Sequence, residues 1–203
     1  MNTDILSLRS SRSAWVDRLR SDDASAALQA LGVVGFALIT ALAAQSQARI
    51  YLWEVPITLQ TLAVYGSGLY LGWRNGMFAQ FLYLSLGMFL PVFAGDGSGP
   101  GYLLGLMSAG YLLSYPIAAA VIGLLSEKWN SLSGSMLSTL VGATIVFTSG
   151  VVWLHYIADH ASWYTSIDIG FLRFAVIDAA KILFAGVIYA GTRSFFTTDL
   201  DDK

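Results

Sequence analysis

The chain has 203 residues, of which 56% are hydrophobic and only 12% charged, with a mean hydropathy of +0.63 and a formal net charge of −2. Soluble domains carry roughly 25% charged residues, so a fully water-facing exterior is excluded for a chain of this length. Cysteine is absent, which removes disulfides, thiolate metal sites and cysteine nucleophiles, and no basic patch interleaved with aromatics supports nucleic-acid binding.

Residues 1–26 come first. Arg9, Arg12, Arg18 and Arg20 alternate with Ile5, Leu8, Trp15 and Leu19 at near-helical spacing, which suits either an amphipathic helix on a membrane surface or a cytoplasmic tail. A cleaved leader needs a short apolar core directly after a brief basic start, whereas the first apolar run here begins near Ala24 and is long enough to span.

Uncharged stretches follow at Ala24 to Ala48, Val55 to Trp73, Asn75 to Gly95, Gly97 to Ser126 and Trp129 to Ala158. Each has the roughly 17 to 25 residues a helix needs to cross the hydrocarbon. A sixth, Phe174 to Thr192, is apolar except for Asp178 and Lys181. Backbone groups in lipid must pair within their own segment, and barrel strands are shorter and alternate in polarity. The expectation is an all-α integral membrane protein with six transmembrane helices over residues 27–193, followed by a cytoplasmic tail at 194–203.

With six crossings, Arg9, Arg12, Arg18, Arg20, Arg74, Lys128 and Arg193 fall on one side. The positive-inside rule makes that side, and both termini, cytoplasmic. Arg49 and Arg173 fall on the opposite side, an exception that raises the question of ligand binding.

Polar and turn-forming residues concentrate in two places. Gln45, Gln47, Arg49, Tyr51, Trp53 and Glu54 lead into Val55-Pro56-Ile57-Thr58-Leu59-Gln60-Thr61, where Pro56 disfavours helix before it. This predicts either an ordered loop covering a cavity or an interfacial aromatic belt. Residues Pro91 to Tyr102 hold Gly95, Gly97, Gly99, Pro100 and Gly101, a non-helical stretch that serves as a plain turn or lets backbone approach a ligand closely.

Small residues recur at four-residue spacing as Ala37 and Ala41, Gly68 and Gly72, Ala119 and Gly123, and Ala175 and Ala179. They permit close helix approach, inside the bundle or against another subunit. His155, Asp159 and His160 end the fifth span without a His-Glu-x-x-His motif. None of Lys128, Lys181 and Lys203 follows a glycine, so no phosphate-binding loop is present. Uphill movement of a solute then depends on an ion gradient or a partner ATPase.

Asp178 and Lys181, placed near the middle of the sixth span, share a helix face at i, i+3. Each charge at mid-bilayer costs on the order of 2.5 to 3.5 kcal/mol on insertion scales. The pair must therefore face protein or a polar cavity, as a structural ion pair, a ligand site or an ion relay.

Val55-Pro56-Ile57-Thr58-Leu59-Gln60-Thr61-Leu62-Ala63-Val64 resembles the signature of the BioY biotin transporters. Ala37 to Ala41, Gly68-Leu69-Tyr70-Leu71-Gly72-Trp73-Arg74, Leu90-Pro91-Val92-Phe93-Ala94-Gly95 and Asp178-Ala179-Ala180-Lys181 are similar to further motifs of that family in the same order, over about Ala37 to Thr192. Leu106-Met107-Ser108-Ala109-Gly110-Tyr111 departs from the family's Gly-Pro-Thr-Gly-Gly-Tyr.

The resemblance implies the substrate-binding, or S, component of an energy-coupling factor (ECF) transporter in a bacterial cytoplasmic membrane. Its partners would be a transmembrane coupling subunit and two cytoplasmic ABC ATPases, with biotin the transported ligand and no cofactor. It implies that Asp178 accepts from the ureido N–H groups of biotin and Lys181 donates to the ureido carbonyl. With the ligand reversed, Lys181 meets the tail carboxylate and Arg49 lies at the outer edge. Gln60, Tyr83, Phe93 and Tyr111 are expected as walls, and Ala37 and Ala41 as the face toward the coupling subunit. Two other readings stand beside it: an S component for riboflavin or thiamine, and an intramembrane enzyme using His155, His160 or Asp159.

Overall fold

The structure, a computed structural model, describes residues 19–20, 24–45, 54–129 and 131–195. Helices α1 (Ala26–Gln45), α2 (Gln60–Gly87), α3 (Pro100–Gly105), α4 (Ala109–Lys128), α5 (Leu132–Ile157), α6 (Trp163–Ile167) and α7 (Ala175–Phe195) follow in order, with one π-helical turn, Asp168–Leu172, before α7.

The second and third predicted spans emerge as the two arms of α2, parted at Gly72. Gly72 has φ 74° and ψ −176°, a region open essentially to glycine alone. That single residue reverses the chain. Gln60 hydrogen-bonds Tyr83 and Ser67 hydrogen-bonds Gln80, pairings that only an antiparallel hairpin centred on Gly72 allows. Arg74 suggested the break from sequence, but backbone geometry puts it two residues earlier.

Two of the small-residue stripes meet each other. A Cβ on Gly68 would lie 2.7 Å from the Ala119 carbonyl, and one on Gly123 would lie 2.1 Å from the Trp73 amide nitrogen. The Gly68–Gly72 and Ala119–Gly123 stripes therefore join α2 to α4 at near backbone contact, as small residues permit in membrane bundles. Arg20 closes this end: it bonds the Gly123 carbonyl (3.0 Å), Ser126 (2.9 Å) and the Tyr189 hydroxyl, with Glu127 at 3.6 Å.

Around this hairpin, α1 and α4 pack on α2, α5 packs on α4, and α7 packs on both α5 and α2. Polarity is turned inside out relative to a soluble protein. Thr40, Ser67, Gln80, Ser138, Thr139 and Asp178 are buried, while Leu31, Leu42, Val176 and Phe184 are exposed. Among the described residues, α1, α4 and α5 are each long and apolar enough to cross a membrane. The other crossings are irregular: the first arm of α2, residues 60–71, is about 18 Å long, and α7 carries two charges. The chain is a multi-pass membrane protein with six long helical segments among the described residues, as the uncharged runs suggested.

Two local expectations change. The glycine-rich stretch is irregular only to Gly99, with Gly95 and Gly99 at positive φ, because Pro100 then starts α3 in the first-turn position that proline suits. Asp178 lies in the first turn of α7 rather than mid-span, since the π-helical turn takes up the preceding residues. A carboxylate at a helix N-terminus faces the positive end of the helix dipole.

Candidate functional site

Opposite the Gly72 end, the start of α2, the start of α4, the C-terminal half of α5 and the start of α7 converge. The backbone from Glu54 to Leu59 is not helical, and non-helical backbone at membrane depth is tolerated where it borders a cavity. A cavity lies there, lined by Val55, Pro56, Thr58, Gln60 and Thr61, by Tyr111, Leu112 and Tyr115, and by Phe147, Phe174, Asp178 and Lys181.

Polar groups collect on one wall. The Asp178 carboxylate accepts from the Tyr65 hydroxyl at 2.7 Å on one oxygen and from Thr61 at 3.2 Å on the other. Lys181 donates to the Thr58 carbonyl at 2.8 Å and to the Thr61 hydroxyl at 2.9 Å. Its direct approach to Asp178 is 3.9 Å, so Thr61 relays the pair, accepting from the ammonium and donating to the carboxylate. An ammonium has three donors and a carboxylate about four acceptor positions. Both retain capacity on the wall they share. The opposite walls are aromatic: Tyr111 stands edge-on to Phe147 at 6.0 Å.

The cavity holds about 40 Å³, room for a few waters. A ring-sized ligand enters only if the bordering segments part. The 54–59 segment is held to α7 by an exchangeable polar bond, Lys181 to the Thr58 carbonyl.

Gln60 lines the cavity, held by Thr58 (2.9 Å) and donating to Tyr83 (2.7 Å). Tyr83 and Phe93 are fully buried and stacked edge-on at 5.7 Å behind it, so they support the wall rather than form it. Gln45 fixes the Phe93 loop through the carbonyls of Pro91, Phe93 and Gly95. Tyr111 faces the cavity while its hydroxyl donates to the Gly170 carbonyl at 2.7 Å. Arg49 lies outside the described residues. Arg173, the other basic exception, is paired with Asp168 at 2.7 Å.

Ala37 and Ala41 are placed differently from the expectation that they face a partner. They are 0% and 8% exposed, on the side of α1 turned into the chain's own bundle. The outward side presents Leu31, Leu38 and Leu42, with open space above Gly35.

Sequence reasoning missed Thr61, Tyr65, Tyr115, Phe147 and Phe174. Thr61 and Tyr65 stand four apart on one helix face, as do Tyr111 and Tyr115, the spacing that stacks side chains on a helix. Nothing in the sequence marks Phe147 or Phe174. His155 and His160 both contact the Ser166 hydroxyl, at 2.9 and 3.0 Å. That serine is fully buried, which denies a substrate access to it. Among the described residues no group of three or more potential ligands is arranged to hold a metal.

Comparison with known proteins gives one consistent answer. Residues 17–198 match the model of the BioY family. A biotin transporter BioY from Thermotoga maritima is 38% identical over 68% of this chain and 80% of the relative. BioY2 from Lactococcus lactis is 32% identical over 78% and 84%. The fold is similar to the crystal structure of an S-component for biotin from an ECF-type ABC transporter, with a TM-score of 0.74, 22% identity and coverage of 84% of this chain and 95% of that one.

Proposed function

The chain belongs to the BioY family, and from that premise we propose that it captures biotin at the outer face of a bacterial cytoplasmic membrane as the S component of an ECF transporter. It is a transporter subunit and not an enzyme.

The observation that carries the reading is the Asp178–Thr61–Lys181 relay on one wall of a cavity whose other walls are largely apolar and aromatic. Biotin has matching parts: two ureido N–H donors flanking one carbonyl, an apolar thioether ring and a carboxylate tail. Asp178 accepts the N–H pair and Lys181 donates to the carbonyl, in charge-assisted bonds that are stronger than neutral ones. The ring then lies against Phe147, Phe174 and Tyr115. Gln60 and Tyr111 complete the wall, and Tyr83 and Phe93 brace Gln60. The 54–59 segment lifts as Lys181 exchanges the Thr58 carbonyl for the ligand.

Arg20, Gly72 and Gly123 mark one end of the bundle, with Lys128 and Arg193 near the ends of α4 and α7 on that side. The positive-inside rule supports a reading in which that end is cytoplasmic, the cavity lies at the outer end and both termini are inside. Titration calorimetry of the purified protein against biotin, riboflavin and thiamine tests the reading. Heat with biotin alone is expected, and heat only with another vitamin would transfer the site to that ligand.

The partners in this reading are a transmembrane coupling subunit and two cytoplasmic ABC ATPases. Of the three apolar spans, α1 is the least enclosed by the rest of the chain, and we assign its outward side to the coupling subunit. Gly35→Trp enters open space and so leaves folding and biotin binding near wild type. Uptake by cells carrying the full transporter is expected to fall at least about tenfold, because bulk keeps membrane helices apart. Undiminished uptake would move the docking face elsewhere.

A further inference from the structure

A second polar cluster sits beside the cavity. His160 follows α5 and contacts Glu54 through Nε2, at 3.0 Å to one carboxylate oxygen and 3.4 Å to the other. Its Nδ1 is 3.0 Å from the Ser166 hydroxyl, which is also 2.9 Å from His155 Nδ1. The His155 ring is stacked on Trp163 at 3.8 Å, 17° from parallel.

Hydrogen counting orders these bonds. A serine hydroxyl has one hydrogen to give, so it donates to one imidazole and accepts from the other. With His160 neutral and its Nε2–H on Glu54, its Nδ1 accepts from Ser166, which in turn accepts from His155. A second proton on His160 makes both ring nitrogens donors. The Ser166 hydroxyl then turns toward the Ser162 carbonyl at 3.5 Å, and the contact to Glu54 becomes an ion pair.

Glu54 runs directly into Val55, Pro56 and Thr58, all of which line the cavity. The segment is thus pinned on its inner side by Lys181 and at its outer end by His160. We infer that Glu54 and His160 are positioning residues that clamp residues 54–59 over the cavity, and that the clamp tightens when His160 takes up a proton. Around His160 the titratable and charged groups among the described residues are Glu54, His155 through the shared serine and Asp159 beside it in the chain, while Asp168 and Arg173 are paired with each other. The role in ligand retention rests on the biotin reading, whereas the clamp itself does not.

Amide hydrogen exchange of residues 54–59, with intrinsic chemical rates divided out, reads the clamp without a ligand. In the wild type, protection is expected to fall about two- to fivefold between mildly acidic and mildly alkaline buffer, the size of a partly exposed ion pair. Glu54→Gln keeps shape and hydrogen bonding without charge, and His160→Gln removes the proton switch. Each is expected to abolish the pH dependence. Release of labelled biotin under a chase is expected to slow at low pH by the same factor in the wild type and in neither variant. Absence of the pH effect on exchange in the wild type, or its survival in both variants, overturns the clamp. Loss of biotin binding in a wild type whose exchange still responds to pH overturns the ligand reading and leaves the clamp standing.

Discussion

Asp178→Asn is expected to weaken biotin binding by at least about a hundredfold, and Lys181→Ala by a similar factor. The asparagine turns one acceptor oxygen into a donor, which must oppose either the Tyr65 hydroxyl, the Thr61 hydroxyl or a ureido N–H. A hydrogen bond to a charged group is worth roughly 1.5 to 3 kcal/mol, and two such bonds to the ligand are degraded at once. Asp178 is only 4% exposed, so neutralising it also removes the buried counter-charge 3.9 Å from Lys181. Breaking one partner of a buried pair costs about 3 to 5 kcal/mol. Titration calorimetry measures the loss, and near-wild-type affinity in both variants would remove the relay from the site. Biotin amide separates the two ligand orientations. If Lys181 meets the ureido carbonyl, the amide and biotin lose affinity equally on Lys181→Ala. If Lys181 meets the tail, the amide is already weak in the wild type and loses little more.

The second large effect lies at the opposite end. Gly123→Ala is expected to lower the Tm in detergent sharply or to prevent recovery of folded protein. The added carbon would sit 2.1 Å from the Trp73 amide nitrogen and 2.4 Å from the Gly72 carbonyl carbon, both backbone atoms that no rotamer change can move. Overpacking typically costs about 1 to 3 kcal/mol and sometimes more, and here the obstruction lies where α2 and α4 join. Gly72→Ala acts through conformation instead, at about 1 to 3 kcal/mol for a residue forced into that backbone region. Gly35→Ala, which meets open space, is the matched control with unchanged Tm. A Gly123→Ala protein with wild-type Tm would mean that α2 and α4 separate without loss.

The fold was largely legible because lipid imposes a single rule on uncharged runs, which α1, α4 and α5 obey plainly. The sixth was legible through its violation: Asp178 and Lys181 in an apolar span require a polar enclosure, and Thr61, Tyr65 and the Thr58 carbonyl supply it. What stayed hidden depends on distance between elements. Tyr83 and Phe93 were expected on the wall and stand one layer behind it, because helical spacing tells which face a residue is on but not how far a neighbour intrudes. Phe147 and Phe174 look like any apolar residue of their helices until the helices cross. Ala37 and Ala41 show the same ambiguity, since smallness announces close approach without saying to what. The histidines appeared as an isolated pair because neither Ser166 nor Glu54 is near both of them in sequence.

The Gly72 turn has a mechanical consequence. Where α2 doubles back, backbone lies on backbone and Arg20 is wedged among three elements, so that end acts as the spring of a clothes-peg. The jaws are the far ends of the same helices, where Lys181 holds the Thr58 carbonyl. Release of that bond uncovers Val55 and Ile57, which are 5% and 8% exposed, and leaves the apolar packing at the spring untouched. Such a device can cycle many times without coming apart.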